Sequence, residues 1–330
     1  MYTSFDNTSL VKIVTLLKSH KFEYLSGQDL SDSLGLSRAA VWKHIKKLQS
    51  LGYKIDSKQK LGYKLIKTTE LLLPWEISDG LKTNVFGKRI YYFHIIDSTQ
   101  NFAIELASKK IESGTIVISE KQTHGKGRLE RKWVSPSGGI WLSLILHPEF
   151  DISISTLFPL ISSLALAITI ERVLKIRPEL KWPNDVTVNG KKVAGILVDA
   201  SIESGKIDYL VLGIGINFKI NPVEVEKSIK HTANYYGITT LLMKNENVSP
   251  IKLVQRFLFE LERLYQISLK KEPQFLIQQW TKRSSTIGKS ITITLPNGVL
   301  RGKALRIDDD GALVISNKGK TQRIIVGDIS

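Results

Sequence analysis

Asn189-Gly190 stands between two β-rich runs, residues 186–188 and 193–202, and a two-residue link of this composition is a strong hairpin signal. A hairpin makes its strands antiparallel, and helices come singly among clustered strands, so the middle of the chain reads as α+β and not as doubly wound. Further strands fit residues 90–96, 114–119, 141–147 and 207–215, and helices fit 100–108, 155–174 and 250–266. With 330 residues, the chain has room for two domains or three small ones.

The most hydrophobic stretch, residues 157–176, is broken by Ser162, Ser163, Thr169, Glu171 and Arg172, so it reads as a buried helix and not as a bilayer span. No basic segment precedes an apolar one near Asp6, so no secretory signal is expected and the location expected is cytoplasmic. Zero cysteines exclude disulfides and thiolate chemistry. The six histidines lack an HExxH spacing, which leaves oxygen ligands for any metal.

The formal net charge is +16, which favours a polyanionic partner. Between Ser37 and Lys67 nine basic residues face one acid, Asp56, so half of that surplus sits in one short segment. Leu10, Ile13, Val14, Leu16 and Leu17 repeat at helical spacing, residues 27–34 fit a short helix, and Gly35 breaks it. Ser37 is a fitting N-cap for the next helix, with Ala40, Val41, Ile45, Leu48 and Leu51 as its apolar stripe. Its polar face would present Ser37, Arg38, Trp42, Lys43, His44, Lys46 and Lys47. Two short strands, residues 53–55 and 62–66, follow around a basic tip at Lys58-Gln59-Lys60. Helix, turn, helix and basic wing make a winged helix-turn-helix for DNA; a short helical hairpin with solvated lysines is the alternative.

The expected organisation is a DNA-binding domain over 1–67, a linker over 68–80 closed by Pro74, a mixed catalytic domain over 81–283, and a small β-domain over 284–330. The last follows from short strands at 290–295, 300–307, 312–316 and 322–326 with tight turns between them, which suggests a small barrel.

Several familiar signatures fail. Gly288-Lys289-Ser290 imitates the end of a P-loop, but Arg283 holds the place of its first glycine. Gly125-Lys126-Gly127 meets Glu130, and Gly213-Ile214-Gly215 meets Phe218, where a dinucleotide fingerprint needs glycine. No GxSxG element exists.

Two polar segments remain. Residues 122–133 pack two glycines among Lys126, Arg128, Arg131 and Lys132 and end at Trp133, which suits an anionic ligand, a solvated basic loop being the alternative. Lys181-Trp182-Pro183-Asn184-Asp185 leads into the hairpin, whose return strand starts Lys191-Lys192 and so puts Lys192 on the strand neighbouring that of Asp185. Either Asn184 and Asp185 hold Mg²⁺ with substrate phosphates while Lys192 offsets charge at a reacting phosphate, or the segment is a turn with a structural Asp–Lys ion pair.

The order of these segments resembles the biotin protein ligases. Asp97-Ser98-Thr99, GKGRLERKW (125–133), KWPNDV (181–186), KKVAGIL (191–197) and GIGIN (213–217) look like the family forms DST, GRGRxxRxW, KWPND, KxxGIL and GxGxN. With the winged helix in front and the β-domain behind, the chain is similar to the bifunctional ligases that also repress biotin genes. The resemblance implies a class II synthetase-like central domain and a C-terminal SH3-like barrel. It implies ATP and biotin as substrates with Mg²⁺, biotinyl-5′-AMP as intermediate, and a lysine of a carboxylase's biotin carrier domain as acceptor. Operator DNA and a homodimer are the other implied partners.

By resemblance, Ser98, Thr99, Gln100 and Gln122 lie at the biotin head group, and Gly125, Lys126, Gly127, Arg128, Lys192 and Gly195 complete the biotin site. Arg128, Arg131, Trp133, Asn184, Lys192 and Asn217 would hold ATP and the adenylate, Arg131 taking pyrophosphate and Trp133 and Asn217 the adenine. Lys192, Arg128 and Asp185 would be catalytic, Asp185 also serving Mg²⁺. Lys126 replaces the family's usual arginine, and residues 231–236 lack the usual Ala-Thr-Ser pattern, so no adenine-covering residue is drawn from them. A biotin-sensing transcription factor without ligase activity, or a lipoyl or octanoyl ligase, are the competing readings.

Overall fold

The computed structural model describes residues 8–21, 23–148, 156–229, 236–242, 248–270, 273–295 and 298–329. The chain divides into two compact units, Met1–Glu76 and Ile77–Ser330, a divide that falls inside the 68–80 segment read as a linker.

In the first unit, α1 (Thr8–Ser19), α2 (Gly27–Leu34) and α3 (Arg38–Ser50) precede an antiparallel hairpin of β1 (Lys54–Lys58) and β2 (Gly62–Lys67). Ser26 and Asp29 form a reciprocal capping box at the start of α2, which ends at Gly35 with φ +63°. Ser37 Oγ then accepts from the Ala40 amide at 3.2 Å and starts α3. Leu10, Ile13, Val14, Leu17, Leu30, Val41, Ile45 and Leu48 are buried, so the helical spacing in the sequence marks the core. Two details differ from the sequence reading. Tyr53 precedes the first strand and is buried, its hydroxyl donating to Glu76 at 2.5 Å and accepting from Trp75 Nε1 at 2.7 Å. β1 runs through Lys58, so the wing turns at residues 59–61. Leu25 adds a third rung by exchanging two backbone hydrogen bonds with Tyr63. Gly62 is needed there, because a Cβ would lie 2.0 Å from the Leu25 carbonyl oxygen.

After α4 (Pro74–Ser78), the second unit is built on a seven-stranded sheet. Its strands are β3 (Ile90–Phe93), β4 (Ile116–Ser119), β5 (Ile140–Leu146), β6 (Glu179–Lys181), β7 (Asp185–Val188), β8 (Lys191–Glu203) and β9 (Lys206–Ile216). They lie in the order β3-β4-β5-β9-β8-β7-β6, and only β3 and β4 are parallel. α5 (Thr99–Ser108) packs on β5 and β9. α6 (Phe158–Leu174) packs against β8 and against α8 (Pro250–Leu269), and α6 is buried on nearly all sides, as its interrupted hydrophobic stretch implies. No helix among the described residues is long and apolar enough to cross a membrane.

β3 ends three residues short of the expected strand, and Ile96 instead bridges Gln122. Sequence reading missed the edge strand β6 and the helices α4, α7 (Pro222–Ile229) and α9 (Pro273–Thr281). In α7, Val223 and Val225 alternate with Glu224 and Glu226, a strand-like period that a single helical turn of packing on Val225 overrides.

The C-terminal β-domain is an antiparallel, five-stranded, SH3-like sheet of β10 (Ser290–Leu295), β11 (Gly298–Ile307), β12 (Leu313–Asn317), β13 (Lys320–Ile324) and β14 (Asp328–Ile329), in the order β13-β12-β11-β10-β14. The fourth strand ends two residues earlier than expected, and the chain then returns as β14 beside β10. Trp182 anchors this domain to the sheet: its Nε1 donates to the Gly311 carbonyl at 3.1 Å, and its amide donates to Thr286 Oγ1.

Candidate functional site

One cleft collects residues from the far-separated polar segments. Its inner wall is made by the start of α5 and by β5 and β9. Gln122 Oε1 accepts from the Thr99 amide at 2.7 Å and from Thr99 Oγ1 at 3.0 Å, and Gln122 Nε2 donates to Ser135. Ser143 Oγ lies 3.0 Å from Thr99 Oγ1 and 2.9 Å from Gln100 Oε1, while Gln100 Nε2 donates to Asp199 and to the Val211 carbonyl. This prepaid network fixes hydroxyls and amides for a polar head group.

The wall between is made of backbone. A Cβ on Gly213 would lie 2.6 Å from Gln100 Oε1, one on Gly215 2.5 Å from Trp133 Nε1, and one on Gly195 2.9 Å from Trp133 Cζ3. The indole therefore rests directly on two adjacent strands. Its Nε1 is buried and has no hydrogen-bond partner among the described residues.

Residues 125–133 fold back as a short hairpin. Trp133 donates to the Gly125 carbonyl at 2.8 Å, Gly127 donates to Arg131, and Leu129 and Glu130 hold left-handed φ of 54° and 56° at the tip. The hairpin carries Lys126, Arg128, Arg131 and Lys132 to the cleft. Arg128 Nη1 reaches Asn184 Oδ1 at 3.2 Å, and burial pulls the guanidinium below its usual range.

Opposite stands the β7–β8 hairpin. Lys192 Nζ lies 2.5 Å from Asp185 Oδ1 and 5.1 Å from the centre of the Trp133 ring. Tyr236 donates to Asp185 Oδ2 at 2.5 Å, and burial, then the carboxylate, push its phenol far above the ordinary tyrosine range. Lys181 Nζ sits 3.5 Å from the centre of the Tyr236 ring, and burial holds its ammonium below the usual lysine range.

Of the residues named from sequence, Thr99, Gln100, Gln122, Lys126, Gly127, Arg128, Arg131, Trp133, Asn184, Asp185, Lys192 and Gly195 all line this cleft. Three do not. Ser98 is buried as the N-cap of α5, accepting from the Asn101 amide. Gly125 is buried at the base of the hairpin, with Trp133 O and Ser135 Oγ where its Cβ would be. Asn217 is buried outside the cleft lining, and its Nδ2 donates to the Lys192 carbonyl at 3.4 Å. Ser143, Lys181, Tyr236 and Asp328 also line the cleft and were missed. Lys181 lay within the quoted motif; the others carry no sequence signal.

In the first unit, Arg38, Trp42, Lys43, Lys46 and Lys47 are exposed along α3, His44 is half-buried, and Ser37 is engaged as the cap. Lys46 Nζ lies 5.8 Å from the centre of the Trp42 ring, which is 55% exposed. On the wing, Lys58 and Lys60 are exposed, and Lys58 and Lys64 flank the Tyr24 ring.

Residues 92–217 match the Biotin/lipoate A/B protein ligase family, residues 10–64 an HTH domain, and residues 286–330 the Biotin protein ligase C terminal domain. The chain is 35% identical over 318 residues to the bifunctional ligase/repressor BirA of Bacillus subtilis, covering 96% of this chain and 97% of that one. It is 28% identical to BirA of Escherichia coli, covering 98% of each. Among solved structures it is similar to the biotin protein ligase from Aquifex aeolicus in complex with biotin and ATP, at 27% identity and a TM-score of 0.62, over 74% of this chain and 98% of that one.

Proposed function

The chain belongs to the bifunctional biotin protein ligase and repressor family, and from that premise we infer how its cleft and its helix-turn-helix divide the work. The enzyme joins biotin to AMP, then transfers the biotinyl group to a protein lysine, and the first unit binds DNA as a repressor. In the first step a carboxylate oxygen of biotin attacks the α-phosphorus of ATP, pyrophosphate leaves, and biotinyl-5′-AMP forms. In the second, the amine of an acceptor lysine on a carboxylase's carrier domain attacks the acyl carbon, AMP leaves, and the amine gives up a proton as the amide forms.

The carrying observation is that one cleft joins a prearranged polar wall at Thr99, Gln100, Gln122 and Ser143 to six cations. The wall suits the ureido group of biotin. Lys126, Gly127 and Arg128 face the carboxylate and α-phosphate, and Arg131 the outgoing pyrophosphate. Trp133 offers an apolar face near the adenine. Lys192 offsets charge that grows on the α-phosphate in the transition state.

Mg²⁺ enters as part of the nucleotide substrate, and the residues here do not fit a resident ion at Asp185. Oδ2 of that carboxylate accepts from Tyr236, Oδ1 is ion-paired with Lys192 though it accepts no hydrogen bond among the described residues, and no cluster of three metal-binding side chains exists among those residues. Asp185 instead holds Lys192 in place.

For DNA, Arg38, Trp42, Lys43, Lys46 and Lys47 form the groove-facing side of α3, with Lys58 and Lys60 on the wing. A homodimer presents two such heads to a two-fold operator. A cytoplasmic location would place the protein with ATP, carboxylases and DNA. Incubation with [α-³²P]ATP, Mg²⁺ and either biotin or lipoate tests the ligase reading: a labelled adenylate with biotin alone supports it, and one with lipoate alone refutes it.

A further inference from the structure

The cleft contains an acid that no motif supplies. Asp328 belongs to β14 of the C-terminal sheet, where it pairs with Thr294 of β10. Its side chain is only 14% exposed, because it turns onto the hairpin of residues 125–133. Asp328 Oδ1 lies 3.5 Å from Arg128 Nη1, and Oδ2 accepts from Arg131 Nη2. The neighbouring Gly327 carbonyl also faces Arg128 Nη1, at 3.4 Å. One carboxylate thus serves two guanidiniums on a loop nearly 200 residues earlier in the chain.

The charge balance shows what this pairing opposes. Lys126, Arg128, Arg131, Lys132, Lys181 and Lys192 line the cleft against two carboxylates, Asp185 and Asp328. Asp185 is held by Lys192 and Tyr236 on the other wall. Asp328 is therefore the acid on the loop arginines among the described residues. A carboxylate and a phosphate compete for the same N–H groups of a guanidinium, and in a partly buried site they also repel one another.

We propose that Asp328 is a displaceable counter-ion, which occupies Arg128 and Arg131 while the cleft lacks nucleotide and yields them to its phosphates. The C-terminal domain then sets how tightly ATP and the departing pyrophosphate are held. This rests on the assignment of Arg128 and Arg131 to the phosphates. Asp328 acts as a positioning residue, since it works through the two arginines and not on the reacting atoms.

The test is calorimetric titration of the full-length protein with inorganic pyrophosphate and with ATP, both with Mg²⁺. Asp328→Asn and Asp328→Ser remove the charge at similar size and should bind pyrophosphate about tenfold more tightly, in keeping with the strength of one charge-assisted hydrogen bond. Asp328→Glu keeps the charge and should not tighten binding. The gain for pyrophosphate should shrink in an Arg131→Ala background. If Arg131→Ala weakens pyrophosphate binding but neither neutral variant tightens it, Asp328 only supports the loop and the proposal is overturned. If Arg131→Ala has no effect, the phosphate assignment itself fails and the proposal falls with it.

Discussion

Lys192 and Asp185 meet across β7 and β8, Nζ to Oδ1 at 2.5 Å, although the strand register pairs Asp185 with Gly195 and Lys192 with Thr187. The register shifts between Val186 and Thr187, and the long lysine side chain covers the remaining offset. The ammonium is thereby held at the cleft wall beside Trp133, where a charge developing on phosphate can be met.

Lys192→Ala should slow adenylate formation by about 10²–10³, the usual cost of losing one transition-state donor. Biotin affinity should change much less, and Lys192→Arg should recover part of the rate. Single-turnover quench with labelled ATP measures the step; a wild-type rate in the alanine variant rules out the role.

Gly213→Ala would place a methyl 2.6 Å from Gln100 Oε1 and disturb its bond to Ser143. The expected result is a rise of about tenfold in KM for biotin, about 1.4 kcal/mol of lost binding, with little change in KM for ATP. Equal rises for both substrates would mean that the substitution deforms the sheet and not the head-group wall.

Replacing Lys46 and Lys47 with alanine should weaken operator binding and flatten its salt dependence, each lost phosphate contact removing about 0.9 from the log–log slope. Fluorescence anisotropy at several salt concentrations gives both quantities. A slope identical to wild type would assign these lysines to solvent.

One recognition helix with one wing is a small reading head, so tight and specific DNA binding calls for two copies. Ligand that orders the 125–133 hairpin should favour the dimer if that loop adjoins the dimer surface, and by linkage should favour DNA binding too. Sedimentation velocity with and without biotin plus ATP is the measurement, and a monomer–dimer constant indifferent to ligand eliminates the coupling.

Local chemistry made much of this legible. Asn189-Gly190 fixes a hairpin, so the placing of Asp185 and Lys192 on neighbouring strands follows from counting residues, while their contact depends on the register shift and the reach of the lysine. Gly35 and Ser37 likewise announce the end of α2 and the start of α3 through their capping. What the sequence hides are contacts made by distant chain segments with no turn or period to link them. Asp328 is the clearest case, joined to the loop only through the packing of a whole domain. Tyr236 lies in a stretch without the family pattern, and its partner Asp185 is reached from another element. Asn217 shows the converse: a motif asparagine whose amide turns inward to the Lys192 backbone because its own position is buried.

The bare backbone at Gly195, Gly213 and Gly215 has a consequence for how this protein can change. Most pockets are tuned by exchanging one side chain for another, larger or smaller. Here the contour under Trp133 and beside Gln100 is set by atoms that every residue shares, and glycine has nothing left to remove. Substitution at these three points can only subtract space, so any drift toward a bulkier ligand must begin elsewhere, at the loop or at the residues the strands support.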